Sequence, residues 1–174
     1  MRLFLRSFVF ILLAFPMLAS SSGYILGVGD EISIQVFQEE ELSFGSVVIP
    51  ENGTISYPFL GDLSVTGRTV DSLQKEITES LRGDYLVSPK VSVYIKQYRG
   101  FFVDGQVNNP GQYPYEPGLT VRKAISIGGG VNERAASDSV YIIKDGDKDK
   151  KSVKVSLDTF MNPGDIIFVE ESFF

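Results

Sequence analysis

The sequence predicts an α+β protein made of two small β-rich modules. Three observations carry that reading. Short runs of apolar residues alternate with polar ones, which is the signature of strands with one buried face. A helical stripe follows the first group of strands and a shorter one falls within the second group. Asn-Gly, Pro-Gly and Gly-Gly pairs punctuate the chain between these segments.

The first 22 residues are set apart from the fold. Arg2 and Arg6 precede an almost wholly apolar run over 8–18, and Ala19-Ser20-Ser21-Ser22 supplies small residues suited to cleavage. That order is the n-region, h-region and cleavage site of a secretory signal peptide, assigned here to residues 1–22. An uncleaved anchor is disfavoured, because a run of about 11 residues is roughly half of what a membrane-spanning helix needs.

In module one, Ile32, Ile34 and Val36 alternate with Ser33, Gln35 and Phe37, predicting a strand. Val47-Val48-Ile49 and Ile55-Ser56-Tyr57 flank a tight turn at Glu51-Asn52-Gly53-Thr54. Asn52-Gly53-Thr54 also reads as a glycosylation sequon, and the turn is the preferred reading. Val70, Leu73, Ile77 and Leu81 then recur at helical spacing, with Thr69 as N-cap, Asp71 in the first turn and Gly83 as the stop. Val91, Val93 and Ile95 alternate again, so this module, assigned to 23–98, reads β-β-β-α-β.

Module two, assigned to 99–174, opens with a strand over 102–107 and a turn at Asn108-Asn109-Pro110-Gly111. Thr120 caps a short helix, Val121–Ile127, which Gly128-Gly129-Gly130 stops. Strands at 140–143 and 153–155 flank a charged loop, and Pro163-Gly164-Asp165 leads into a last strand at 166–169. One short helix over a small mixed sheet is the outline of a β-grasp fold. Only Tyr98-Arg99-Gly100 separates the halves, so the modules are expected to pack together.

Composition excludes several functions. The chain has no cysteine and no histidine, which removes disulfides, a lipidated N-terminal Cys, Cys/His zinc sites and Ser-His or Cys-His catalytic pairs. Without the leader, 14 basic residues face 22 acidic ones, a net charge near −8. Such a chain repels nucleic acid and anionic lipid, so neither is an expected partner.

The remaining motifs read as structure. Gly27-Val28-Gly29-Asp30 begins like a dinucleotide loop but lacks the third glycine and leads into a strand. Asp145, Asp147 and Asp149 begin like a calcium loop, yet Lys150 and Ser156 stand where Gly and an acid are needed. Gly128-Gly129-Gly130 reads as a helix stop rather than a ligand cradle, and Glu39-Glu40-Glu41 as a hydrated loop rather than an acid/base pair. Counting back by twos from Phe174 puts Glu170 on the face that a membrane barrel would turn to lipid, which argues against one. No catalytic, cofactor-binding or metal-binding residue is assigned, and no residue is singled out for sugar contact.

Taken in order, the segments resemble the outer-membrane polysaccharide export family. The opening Tyr24-Ile25-Leu26-Gly27-Val28-Gly29-Asp30-Glu31-Ile32 and Ile34-Gln35-Val36-Phe37 carry the resemblance first. Ile49-Pro50-Glu51-Asn52-Gly53-Thr54-Ile55, Pro58-Phe59-Leu60-Gly61, Gly67-Arg68-Thr69 and Pro89-Lys90-Val91-Ser92-Val93 continue it. Val103-Asp104-Gly105-Gln106-Val107, Asn109-Pro110-Gly111, Gly128-Gly129-Gly130 and Pro163-Gly164-Asp165-Ile166-Ile167-Phe168-Val169 look like a soluble-ligand-binding β-grasp (SLBB) module.

The resemblance implies a non-enzymatic periplasmic protein, associated with the outer membrane, that forms or lines the path of a capsular polysaccharide or exopolysaccharide. It implies a homo-oligomeric ring, an inner-membrane copolymerase as partner and no cofactor. Two departures stand out. The lipidated Cys of full-length members is missing, and the chain stops five residues after Val169, without their membrane-crossing helix. It looks like the short class, which needs a separate outer-membrane pore protein. The competing expectations are a monomeric periplasmic glycan-binding protein and a polysaccharide-trimming enzyme.

Overall fold

The computed structural model describes residues 23–172, so the signal peptide expected at 1–22 lies outside the described residues. The fold is α+β, with two helices and ten strands among those residues.

In the first lobe, β1 (Glu31–Val36) lies between β2 (Phe44–Val48) and β5 (Val91–Gln97), antiparallel to both. The expected face of β1, Ile32, Ile34 and Val36, is buried. Ser33 is buried as well, against the simple alternation. The β1–β2 register shifts between Ile32 and Ile34, and the Ser33 hydroxyl donates to the Phe44 carbonyl at 3.1 Å. A bulge thus turns a nominally outward residue into a bonded one.

Helix α1 (Val70–Leu81) covers the lobe with Leu73, Ile77 and Leu81, all fully buried, and packs on β5. Thr69 Oγ1 accepts from the Ser72 N–H at 3.1 Å, the N-cap expected from sequence. Gln74, on the same helix, accepts the Val93 N–H at 3.2 Å and so occupies an edge donor of β5.

The turn after β2 forms, with Gly53 at φ 70° and its N–H on the Pro50 carbonyl at 2.8 Å. It joins two different sheets: β3 (Thr54–Tyr57) pairs with β4 (Gly61–Ser64), not with β2. β4 is a strand the sequence did not announce, since Gly61-Asp62-Leu63-Ser64 offers a single apolar residue to establish a period.

Tyr57 fastens the β3–β4 hairpin to the first sheet by donating to the Leu42 carbonyl at 2.7 Å. Burial pushes its phenol up to about 12. A raised folded-state value favours the native state below the unfolded tyrosine range and withdraws that support as pH climbs from about 10 towards 12. Equilibrium unfolding in urea is therefore expected to show stability falling over that window, and falling less steeply in Tyr57→Phe. Equal slopes in the two proteins would contradict the assignment.

The second lobe is a five-stranded mixed sheet in the order β7-β6-β10-β8-β9, formed by β6 (Phe101–Gly105), β7 (Gly111–Tyr113), β8 (Ala135–Ile143), β9 (Ser152–Lys154) and β10 (Ile166–Glu171). β6 and β10 run parallel, and the other pairs are antiparallel. α2 (Val121–Ile127) lies against β10 and buries Val121, Ala124 and Ile125, which gives the expected β-grasp-like outline.

Strand β6 ends at Gly105, short of the expected 107. Gly105 sits at φ 82° and the Val107 N–H turns back to its carbonyl at 2.9 Å. β7 was not foreseen, because three residues are too few to show a period. β8 begins five residues earlier than expected, in a small and polar stretch that pairing with β10, not hydrophobicity, draws into the sheet.

Two separate hydrophobic cores result. One gathers Ile32, Ile34, Tyr57, Leu73, Ile77 and Leu81; the other gathers Phe101, Val103, Val121, Ile142, Ile167 and Val169.

Candidate functional site

Each lobe contains the same small device. Gly29 at φ 87° precedes Asp30, which opens onto β1, and Gly164 at φ 84° precedes Asp165, which opens onto β10. Both carboxylates are shielded from solvent, at 0% and 1% exposure.

Asp30 Oδ2 accepts the N–H three residues back, from Gly27, at 2.8 Å, and Asp165 Oδ2 accepts that of Asn162 at 2.7 Å. The second donor comes in each lobe from the residue or residues just beyond the antiparallel partner strand. Past β5, the Arg99 N–H reaches Asp30 Oδ1 at 2.7 Å, while past β8 the Asp145 N–H reaches Asp165 Oδ1 at 3.1 Å. A cation completes each site: the Arg99 guanidinium on Asp30 at 2.9 Å and the Lys144 ammonium on Asp165 at 2.8 Å. A buried carboxylate is tolerated only when donors meet its oxygens in this way.

Arg99 joins the two devices. Its guanidinium also takes Asp145 Oδ2, at 2.8 Å from Nη2 and 2.9 Å from Nε. Tyr24 donates to Asp30 at 2.7 Å and receives Arg99 Nη1 at 2.5 Å. Burial and the bond to Asp30 push the Tyr24 phenol far above its ordinary value, so it stays neutral throughout physiological pH. Burial works against the charge on Arg99, and Asp30, Tyr24 and Asp145 together outweigh it, leaving the guanidinium above its ordinary value.

Further contacts close the junction. Tyr24, Tyr98 and Tyr115 stack edge to face with centroids 4.9 and 5.6 Å apart, running from the first core to the second. The Gly164 N–H donates to the Gly100 carbonyl at 3.0 Å. At Gly27 a side chain would meet the Arg99 guanidinium, so glycine is what lets the arginine lie against that loop.

Above the junction lies an open cleft of about 450 Å³, bordered by Tyr24, Arg99, Lys144, Asp145, Asn162 and Asp165. Its two cations each face a carboxylate, and its phenol is held neutral. This arrangement binds the lobes and matches charges; it presents no activated nucleophile.

The motifs singled out in sequence fall as follows. Gly27-Val28-Gly29-Asp30 builds the Asp30 device instead of a phosphate loop, and β1 follows it. Asp145 goes to Arg99, whereas Asp147 accepts the N–H groups of Asp149 and Lys151, both at 3.1 Å, within its own turn. Among the described residues no group of three or more His, Cys, Asp or Glu could hold a metal ion.

Gly129 and Gly130, each at φ 80°, end α2, and the Asn109 N–H donates to the Gly128 carbonyl at 2.8 Å, tying in the 108–111 turn. Glu40 and Glu41 fall in a 3₁₀ turn (Glu40–Leu42) that buries Leu42 and leaves both carboxylates exposed. Sequence reasoning missed Asp30, Asp165 and Arg99. The signal was present as a repeated Gly-Asp pair, each leading into an Ile-containing strand.

No helix among the described residues is long and apolar enough to cross a membrane.

Comparison with known proteins gives the family. Residues 18–96 match the family described as polysaccharide biosynthesis/export protein, and residues 101–155 match the SLBB domain. The exopolysaccharide production protein ExoF of Rhizobium meliloti is 34% identical over an alignment covering 66% of this chain and 30% of that protein. The EPS I polysaccharide export outer membrane protein EpsA of Ralstonia nicotianae is 27% identical, over 90% of this chain and 49% of its own length. The protein of the same name from Ralstonia solanacearum is 29% identical over 76% and 41%. This chain therefore spans between about a third and a half of the length of these relatives. Since both matches occur in order on one chain, one over each hydrophobic core, the protein belongs to the polysaccharide biosynthesis/export family and carries an SLBB domain behind its export domain.

Proposed function

We propose that the chain is a non-enzymatic periplasmic component of a capsular polysaccharide or exopolysaccharide export complex, forming or lining the path of the glycan. The observation that carries this reading is the ordered pair of family matches over 18–96 and 101–155. The printed names of the relatives, for exopolysaccharide production and for outer-membrane export, agree with it and favour a place in the cell envelope.

The working unit proposed is a homo-oligomeric ring that cooperates with an inner-membrane copolymerase and a separate outer-membrane pore protein. Within each subunit, 23–98 acts as the export domain and 99–174 as the SLBB domain, with 1–22 removed after secretion. The Asp30–Arg99–Asp145 junction supports this division of labour, because it lets two small lobes act as one stiff part. A long hydrated polymer needs weak, repeated contacts, since a tightly held chain would not leave. The acidic surface, near −8 without the leader, discourages adhesion of acidic glycans.

Deleting the gene in the strain that encodes it is expected to trap polymer inside the envelope and strip it from the surface. Undiminished surface glycan would overturn the proposal. Sedimentation of the purified protein checks the ring, for which a monomer at every concentration is the contrary result.

A further inference from the structure

One end of the first lobe exposes aromatic rings that the fold does not need. Phe37 is 65% exposed and Phe59 is 64% exposed. Among the described residues only Gln38, Phe59 and Lys150 adopt positive φ without being glycine, and two of these three stand here, Gln38 next to Phe37 and Phe59 itself, at 64° and 65°. A left-handed backbone and a solvated ring both cost folding free energy, and such combinations persist where a ligand offsets them.

The rings are held in place. Phe59 stacks on Tyr85 with centroids 5.0 Å apart and planes 24° from parallel, and the Tyr85 hydroxyl donates to the Phe59 carbonyl at 3.3 Å. The Lys90 ammonium lies over the Phe37 ring, 5.6 Å from its centre, and pairs with no carboxylate among the described residues. The 84–90 loop connects the two platforms, carrying Tyr85 to Phe59 and Lys90 to Phe37, with Val87 between them 95% exposed.

The chemistry beside the rings is that of hydrogen bonding. A cleft of about 460 Å³ beside Phe37 is bordered by Gln35, Ser92 and Lys90, and a neighbouring one of about 320 Å³ by Gln38, Glu39 and Ser88. The apolar C–H face of a pyranose fits the negative face of an aromatic ring. Its equatorial hydroxyls then point outward, where amides, hydroxyls and an ammonium can meet them. Stacking platforms with amides, hydroxyls and an ammonium at their edges suit a sugar chain.

We infer that Phe37 and the Phe59–Tyr85 stack are the glycan-contacting platforms of this protein, each taking one pyranose face, with Lys90 meeting a hydroxyl or carboxylate oxygen of the sugar on Phe37. The inference rests on the export reading and names the residues that would touch the cargo.

The test uses oligosaccharides released by partial hydrolysis of the encoding strain's own polymer, titrated into the purified protein and followed by NMR. Shifts are expected at Phe37, Phe59, Tyr85 and Lys90. Phe37→Ala and Phe59→Ala are each expected to weaken binding about tenfold, with Phe59→Leu equally weakened and Phe59→Tyr retained. Affinity that falls with salt and on Lys90→Gln identifies acidic sugars, and salt-independent affinity identifies neutral ones; both support the platforms. Wild-type affinity in the alanine variants, or retention in Phe59→Leu, would overturn them. So would a change in sedimentation mass without sugar binding, which would give the surface to a second copy of the chain. If the gene deletion traps polymer while the fragments ignore these rings, this assignment alone fails. If the rings bind fragments but export proceeds without the protein, the export reading fails instead.

Discussion

Replacing Asp30 with alanine is expected to lower the stability of the protein by about 3–5 kcal/mol, because it strips the shared partner from a buried charge network. The fully buried Asp30 carboxylate accepts from the Gly27 and Arg99 N–H groups, the Tyr24 hydroxyl and the Arg99 guanidinium. Without it, buried donors face a void, each at a cost of about 1–3 kcal/mol that does not simply add. Asp145→Ala removes the outer partner of the same arginine, but that carboxylate is 43% exposed and its loss is expected to cost no more than about 1 kcal/mol. Urea unfolding of both variants checks the contrast. Equal, small effects would show that the junction contributes little and that the lobes are held by their own cores.

Gly105→Ala is expected to cost at least about 3 kcal/mol. Gly105 ends β6 at φ 82°, a conformation that costs an L-residue about 1–2 kcal/mol. Its missing side chain also makes room for the Val169 backbone, since an added Cβ would run into the Val169 carbonyl oxygen. Gly105 and Val169 are paired in the parallel β6–β10 ladder, so relief requires the central strands of the second lobe to part. Hydrogen exchange is expected to quicken at β6 and β10 while the amides of β1 and β5 keep their protection. Gly111→Ala, where no positive φ is needed and nothing lies within 4 Å, serves as the neutral comparison. A Gly105→Ala protein as stable as Gly111→Ala would contradict this account of the β6 terminus.

Much of the fold was legible in the sequence where one physical rule dominated. The α1 stripe of Leu73, Ile77 and Leu81, capped by Thr69, and the limits of α2 came from periodicity and capping alone. β4 and β7 escaped because Gly61–Ser64 and Gly111–Tyr113 are too short or too polar to show a period, and pairing creates them. The Asn52-Gly53 turn was readable, but not the change of sheet that follows it, which depends on long-range partners of β2 and β3.

The junction was hidden for a related reason. Asp30 and Arg99 are 69 residues apart, and no local rule pairs them. The alternation of β1 already set Phe37 on the outward face, whereas Phe59 read as an ordinary apolar residue until the fold shows it facing water.

The central claim is that this protein guides a glycan outward without altering it. The most direct measurement compares the chain lengths of polymer trapped in the deletion strain with those of polymer exported by the parent. The account predicts that the trapped chains match the exported ones in length. Trapped chains that are longer, returning to the exported length once the protein is added back, would show that it cuts the polymer and would contradict the account.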